Sequence, residues 1–507
     1  MEASKKKMKF PSAFSILFII LLIAIGLTWL IPSGTYSKLS YDNTENHFIV
    51  KTHGIPDQSY PATEQTLNQL NIKIQLSNFT NGIIKKPIAI PDTYQRIEQH
   101  EKGITDMIHA MVDGTIEVAD IMIFIFILGG MIGVINKTGA FNAGLMSLTK
   151  KTKGNEFSVV FAVCVLMLLG GTACGIEEEA VAFYPILVPV FLALGYDSIV
   201  CVGAIFLAAS MGTAFSTINP FSVVIASNAA GISFTEGMGF RTLGLILGGA
   251  CVIAYMYWYC KKLRANPEFS YTYDDRQAFY DLYMKDIDPN ATVEFTFRRK
   301  LILILFSASF PLMVWGVIFG GWWFPQMAAS FLAITIIIMF ISGLPEKDVV
   351  NGFTHGASEL VGVALIIGLA RAVNIILEQG MISDTILDYM THLVDGMNGS
   401  VFIIGQLLIF IFLGLVVPSS SGLAVLAMPI MAPLADTVGI PRDIVVSAYN
   451  WGQYIMLFLA PTGLVLVTLQ MLGIPFNKWL KFVMPIVGCQ FVISSILLLT
   501  QVFMYAQ

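Results

Sequence analysis

The sequence predicts an all-α polytopic membrane protein made of two inverted repeats with re-entrant hairpins and broken helices. Three observations predict it. Of 507 residues, 56% are hydrophobic and only 12% charged. Soluble domains carry about 25% charged residues, and the apolar runs here recur along the whole chain at bilayer-spanning length. Short motifs of the first half return in the second, in one order and 241–247 residues later, which marks a duplication. The charge of one loop is reversed in its counterpart. The net charge of −5 says little, because in such a chain the position of charge matters more than its sum.

Lys5, Lys6, Lys7 and Lys9 precede an apolar run over 14–31. That run exceeds the 7–15 residues usual for a signal peptide, so 1–34 is expected to be a retained transmembrane helix with a cytoplasmic N-terminus. Residues 35–102 are rich in Asn, Gln, Thr and Pro and read as an extracytoplasmic polar insertion, since long loops cross largely regardless of charge. The first repeat spans 103–260. Residues 116–135 are apolar except for Glu117 and Asp120, and the segment after them carries Lys137, Lys150, Lys151 and Lys153, which belong in the cytoplasm. A hairpin-like region, 157–195, is interrupted by three glycines and by Glu177, Glu178 and Glu179. Next comes an apolar run broken at Asn219-Pro220, then a helix ending at Lys261, Lys262 and Arg264. Residues 261–300 form a cytoplasmic linker, 301–344 two connecting spans, and 345–507 the second repeat.

The repeat rests on specific matches. Asp113-Gly-Thr-Ile-Glu117 pairs with His355-Gly-Ala-Ser-Glu359, and Tyr184-Pro-Ile-Leu-Val-Pro189 with Met428-Pro-Ile-Met-Ala-Pro433. Gly195 and Gly439 follow, then Ile199-Val200 and Ile444-Val445, then Asn219-Pro220 and Ala460-Pro461. Residues 376–400 have no Lys or Arg but contain Glu378, Asp384, Asp388 and Asp395, where the first copy has four lysines. One loop is inside and the other outside, so the copies are inverted, as in many secondary transporters.

Pro11-Ser-Ala-Phe-Ser-Ile-Leu-Phe-Ile-Ile20, Trp29-Leu-Ile-Pro-Ser-Gly34, the Gly-Thr-x-x-Gly-x-x-Glu-Glu tip at 171–179, Leu194-Gly-Tyr-Asp-Ser-Ile-Val200 and Asn219-Pro-Phe221 resemble the C4-dicarboxylate anaerobic carrier family. The resemblance covers nearly the whole chain and points to a branch, the YfcC type, labelled as basic amino acid antiporters. It implies membership of the ion transporter superfamily. It also implies an elevator-type carrier in a bacterial cytoplasmic (inner) membrane, forming a homodimer through scaffold helices. Related members bind carboxylate and Na⁺ with Ser-Asn-Thr tips. Here the tips read Gly-Thr-Ala-Cys-Gly and Ser-Ser-Ser-Gly, so sodium coupling does not follow from the resemblance alone.

Helix N-termini at hairpin tips favour anions. Thr172, Ser419, Ser420 and Ser421 add hydroxyls, and Gly175 and Gly422 permit close approach. The plainer reading is that Gly and Ser let helices pack closely. Three consecutive glutamates at membrane depth are costly at roughly 2.5–3.5 kcal/mol each. A helix dipole returns only about 0.3–1 kcal/mol. They are therefore read as binding a substrate cation, carrying a coupling proton, or pairing with an intramembrane arginine, Arg371. Asn450 and Gln453 share a helix face and join the substrate-binding set. Asn219, Pro220, Pro461, Thr462 and Gly463 interrupt apolar helices and free carbonyls for an ion, although a simple proline kink gives the same pattern. Glu117, Asp120 and Glu359 read as interfacial.

No Walker, HExxH or GxSxG motif occurs, and the six cysteines sit in or beside apolar segments, so neither catalysis, a metal site nor an extracytoplasmic disulfide is expected. A channel would need rings of filter motifs, which are absent. The expectation is a secondary active transporter of a small carboxylate-bearing metabolite, foremost an antiporter for arginine, ornithine or lysine. The alternative is a carrier of C4-dicarboxylates or other organic anions coupled to H⁺ or Na⁺. Its partners are then substrate, lipid bilayer and a second copy, with no nucleic acid and no cofactor beyond the coupling ion.

Overall fold

The computed structural model describes residues 12–505 except 73, 82, 83, 85, 86, 178, 285–293, 321, 395 and 462. Helix α1 (Ala13–Leu30) is capped by Ser12, whose hydroxyl accepts from the Ser15 amide at 3.3 Å. It stops short of Pro32, as the restricted residue before a proline requires.

A small domain follows, and here the all-α expectation is corrected. Strands β1 (Gly34–Thr35), β2 (Lys38–Asp42), β3 (His47–Lys51) and β4 (Gln58–Pro61), two short helices α2 (Glu64–Gln69) and α3 (Leu76–Thr80), then β5 (Ile88–Ala89) and β6 (Gln95–Arg96) occupy the insertion. The main sheet has the order β4-β3-β2-β5, antiparallel throughout, and β1 pairs with β6. The cause is local: Leu39 in β2 and Phe48 and Val50 in β3 point to one buried side, the period-2 pattern of a half-covered sheet.

The first repeat runs α4 (Ile104–Glu117), α5 (Ala119–Thr138), α6 (Ala140–Thr152), α7 (Phe157–Cys174), α8 (Tyr184–Ala193), α9 (Ser198–Val202), α10 (Ala208–Ala214), α11 (Ile225–Ala229) and α12 (Met238–Ala265). One wide turn, Gly203–Leu207, joins α9 to α10, and another, Pro220–Val224, leads into α11. Helix α12 runs five residues past the repeat boundary read from the sequence. A short α13 (Arg276–Tyr283) sits in the linker, followed by α14 (Phe297–Gly320) and α15 (Phe324–Ser342). The second repeat is α16 (Glu346–Glu359), α17 (Val361–Gln379), α18 (Ser383–Val394), α19 (Gly399–Val416), α20 (Ser420–Thr437), α21 (Arg442–Leu459), α22 (Gly463–Met471) and α23 (Phe476–Tyr505). Eight of the described helical segments are long and apolar enough to cross a membrane.

The two halves share backbone detail that no composition bias would produce. Left-handed residues end corresponding elements: Gly139 and Met381, Gly154 and Gly396, Gly195 and Gly439, Gly231 and Gly473. Each pair is 242 or 244 residues apart. After Gly195 and Gly439 the next amide reaches back five residues, Tyr196 to the Phe191 carbonyl at 2.9 Å and Ile440 to the Ala435 carbonyl at 3.0 Å. This is the Schellman closure of a helix.

Helix α4 packs on α17 and, reciprocally, α5 on α16. The contact is backbone on backbone. A Cβ at Gly133 would lie 2.0 Å from the Gly352 carbonyl oxygen, and one at Gly356 would lie 2.1 Å from that of Gly129. Two Gly-x-x-x-Gly pairs therefore cross, the arrangement that lets apolar helices approach closely in lipid. In the other half of each repeat α7 packs on α10 and α19 on α21. There Gly171 and Gly212, and Gly414 and Gly452, lie against backbone of the facing helix.

Candidate functional site

Two hairpin turns and two helix breaks converge. The first turn begins at Gly175, left-handed at φ +68°, which caps α7. A Cβ there would lie 2.6 Å from the Asn219 side-chain nitrogen, so Gly is required for the turn to approach the first break. Asn219 Nδ2 donates to the Gly171 carbonyl at 3.3 Å, and its Oδ1 accepts from the Phe221 amide at 2.8 Å, capping the segment that Pro220 opens. Thr172 is buried and faces the same break. Its hydroxyl accepts from the Thr217 amide at 3.1 Å and lies 3.2 Å from the Thr217 hydroxyl. Thr172, Gly175, Asn219 and Pro220 thus build one joint between turn and break.

The chain from Gly175 to Glu177 is irregular, and a 3-10 turn, Glu179–Phe183, precedes α8. Glu177 is therefore not on the first turn of an α-helix, and the dipole account of its charge does not apply there. Glu178 lies outside the described residues, as does the side chain of Glu179. Glu177 reaches across to α21: Tyr454 donates its phenol to Glu177 Oε2 at 3.1 Å.

The second turn is built differently. Ser419 caps α20, its hydroxyl accepting from the Gly422 amide at 3.2 Å, so that hydroxyl serves the helix. Ser420 and Ser421 open α20, a true helix N-terminus. The Ser420 hydroxyl lies 3.0 Å from the Tyr454 hydroxyl, and its carbonyl accepts from the Tyr449 phenol at 2.6 Å. Tyr454 is fully buried. One phenol therefore touches both tips.

Asn450, fully buried, ties α21 to the end of α10. Its Nδ2 donates to the carbonyls of Thr213 at 3.0 Å and Ala214 at 2.9 Å and to the Ser216 hydroxyl at 3.0 Å. Both carbonyls lie at the end of α10, where that of Thr213 also accepts from the Ser216 amide at 3.1 Å. Asn450 Oδ1 and Gln453 Oε1 are buried with no hydrogen-bond partner among the described residues. Gln453, Glu177, Ser420, Tyr454, Gly414, Pro418, Leu457 and Ala460 line a cavity of about 30 Å³. That is room for about two waters. Pro461 lies beside it at the second break, where α21 ends at Ala460. Thr462 lies outside the described residues, and Gly463 opens α22.

Arg371 is engaged elsewhere: it donates to Glu117 at 2.5 Å and to Glu378 at 3.1 Å, across α4 and α17. Glu117, read as interfacial, is thus one of its two carboxylate partners. Among the described residues no three His, Cys, Asp or Glu are grouped to hold a metal, and the five described cysteine side chains are free thiols. Sequence reasoning missed Tyr449, Tyr454, Thr213 and Thr217. A signal for the tyrosines was present, because a phenol on a buried apolar helix needs a polar partner.

Comparison with known proteins identifies the family. Residues 10–503 match the profile of the C4-dicarboxylate anaerobic carrier family. An uncharacterized protein of Haemophilus influenzae is 76% identical over the full length of both chains. YfcC of Escherichia coli K12, provisionally named a basic amino acid antiporter, is 28% identical over 96% of each. Two solved structures align over most of the chain. MtrF of Neisseria gonorrhoeae, from a class of antimetabolite efflux pumps, has 15% identity, coverage of 98% and 96%, and TM-score 0.38. The YdaH transporter of Alcanivorax borkumensis has 13% identity, coverage of 97% and 99%, and TM-score 0.39. With the family profile matched from end to end, this multi-pass membrane protein belongs to the C4-dicarboxylate anaerobic carrier family of transporters.

Proposed function

We propose that the protein is a secondary carrier for a zwitterionic or cationic amino acid, foremost arginine, ornithine or lysine, bound between the two hairpin tips. The observation that carries this reading is the single phenol of Tyr454 between Glu177 at 3.1 Å and Ser420 at 3.0 Å. A carboxylate and the N-terminus of α20 face each other across one hydroxyl. The first favours an ammonium or guanidinium and the second a carboxylate. A dicarboxylate would have to set an anion beside Glu177.

The cavity of about 30 Å³ is too small for an amino acid, so substrate enters only when the tips part or Tyr454 turns away. We take α7–α11 and α19–α22 as the moving body of an elevator. Helices α4–α5, α14–α15 and α16–α17 are then the scaffold through which two copies associate. Support for a rigid scaffold is the glycine-to-backbone interlock of α5 with α16. Support for inverted copies is the reciprocal packing of α4 on α17 and α5 on α16, with the opposite loop charges. For the coupling ion we propose the buried amide oxygens of Asn450 and Gln453, beside the breaks at Asn219-Pro220 and Pro461, as acceptors for Na⁺ or for a water that carries H⁺. The lysine pattern supports a cytoplasmic N-terminus, and the family resemblance supports the cytoplasmic membrane.

The experiment is counterflow in liposomes with arginine, citrulline and succinate. Arginine should exchange, and Glu177→Gln should weaken it about 10- to 150-fold while changing neutral citrulline much less, because a buried charge-assisted contact is worth roughly 1.5–3 kcal/mol. Saturable succinate exchange with no arginine exchange would reverse the assignment.

A further inference from the structure

We propose that the small β domain is a lid hinged on the α17–α18 turn, closing the candidate site on the face of the membrane where the domain lies. Its hydrophobic core, containing Leu39, Phe48, Phe79 and Ile88, includes Val425 of α20, and Ile225 of α11 packs against it. Strand β5 lies directly on α20. Val425 is five residues past Ser420, about 7.5 Å along the helix from the tip. Helix α20 continues twelve residues beyond Val425, about 18 Å. The domain therefore does not rest on the far end of the hairpin. It reaches down the hairpin to just above the residues that hold Tyr454. Ile225 stands equally close, five residues past Pro220, to the first break.

The two sides of the domain are attached by different chemistry. Toward α17 and α18 the bonds are polar and directional. The Ser33 hydroxyl donates to the Gly380 carbonyl at 2.8 Å, the Gly34 amide to the Met381 carbonyl at 3.0 Å, and the Tyr36 amide to Asp384 Oδ2 at 3.1 Å. The Tyr36 phenol donates to Asp388 at 3.1 Å and the Tyr94 phenol to Thr385 at 2.9 Å. Toward α20 and α11 the seat is Val425 and Ile225, an apolar contact with no directional demand. A fixed side and a sliding side are what a hinged cover needs. The inference rests on the reading that Glu177, Ser420 and Tyr454 surround the substrate, because only then does covering α20 control access.

The test uses the full chain with its native cysteines replaced and one cysteine at Leu457, which lines the cavity. The readout is labelling by a membrane-impermeant thiol reagent added from the lid side. Val425→Ala thins the seat and should raise the labelling rate about 5- to 10-fold, since removing buried methyl groups typically costs one to a few kcal/mol. Paired cysteines, Ile88→Cys with Val425→Cys, two residues of one core, should on oxidation suppress labelling and stop counterflow. Reductant should restore both, which excludes misfolding as the cause. Labelling and counterflow indifferent to both the thinned seat and the cross-link would overturn the lid. Protection of Leu457→Cys by arginine tests the site separately: protection with an inert cross-link removes only the lid. Cross-link control of labelling without protection by any substrate removes only the site.

Discussion

Replacing Tyr454 by Phe removes one hydroxyl and almost no volume, so its effect isolates the bridge between the tips. Two bonds go: one to the Glu177 carboxylate at 3.1 Å and one to the Ser420 hydroxyl at 3.0 Å. The first is charge-assisted, worth about 1.5–3 kcal/mol. The cavity beside it holds about two waters, which regain part of the second. Joined tips should therefore lose roughly 1.5–3 kcal/mol relative to parted tips, a shift of about 10- to 150-fold in their populations. If substrate binds only parted tips, the fraction able to bind rises and the apparent Kd falls, by about tenfold or more. At the same time the substrate-free protein should unfold at a lower temperature in detergent. Tighter arginine binding together with a lower unfolding temperature is the expected pair, measured by titration and thermal unfolding of one sample. Weaker binding with unchanged stability would instead make the phenol a substrate ligand and refute the latch.

Glu177→Ser makes the two tips chemically alike and should lower arginine counterflow more than 10-fold while allowing succinate exchange; the ratio of the two rates is the measurement. Gly133→Ala would set a Cβ 2.0 Å from the Gly352 carbonyl oxygen and should destabilise by about 1–3 kcal/mol. Gly362→Ala, with nothing within 4 Å, is the control that leaves thermal unfolding unchanged. The Arg264 guanidinium, 2.8 Å from Glu156, holds that carboxyl down at about 2 against its ordinary 4.5. A lowered folded pKa stabilises above pH 4.5, and the contribution is lost as pH falls through 2. Glu156→Gln should thus cost no more than about 1 kcal/mol, evenly from pH 5 to 8. The difference from wild type should vanish at strongly acidic pH in denaturant titrations.

The expected duplication is read from residues whose backbone preferences are strong. Gly195 and Gly439 take the same left-handed turn, whereas of the matched prolines Pro185 opens α8 and Pro429 lies inside α20. The β domain is written in Leu39 between Lys38 and Ser40 and in the strand-forming run Phe48-Ile49-Val50 between His47 and Lys51. It was masked by reading a polar stretch between spans as a loop. Arg371 illustrates what one-dimensional reasoning lacks. An intramembrane cation must be paired, but sequence does not say which carboxylate shares its face, and Glu117 and Glu378 do. The polar set Tyr449, Asn450, Gln453 and Tyr454 occupies one helix. Asn450 and Gln453 stand out in the sequence as amides in an apolar segment, whereas which groups the Tyr449 and Tyr454 hydroxyls meet is set only by the fold.

The halves repeat in backbone and diverge in chemistry, and the divergence falls at the site. At an offset of 243 residues Glu177 corresponds to Ser420, and Gly171 to Gly414. The glycines keep the same close packing in both copies. The tip residues keep the same reach, since both meet the Tyr454 phenol, but one is an anion on an irregular turn and the other a hydroxyl on a helix N-terminus. At an offset of 240 Asn450, Gln453 and Tyr454 correspond to Ser210, Thr213 and Ala214. Along this pair of helices the large polar side chains are therefore confined to the second copy. A symmetric dianion would be served by two tips alike, and a duplication supplies likeness at no cost. Holding the geometry while making one tip anionic and the other anion-seeking is the asymmetry that the proposed amino acid substrate, with ends of opposite charge, would use.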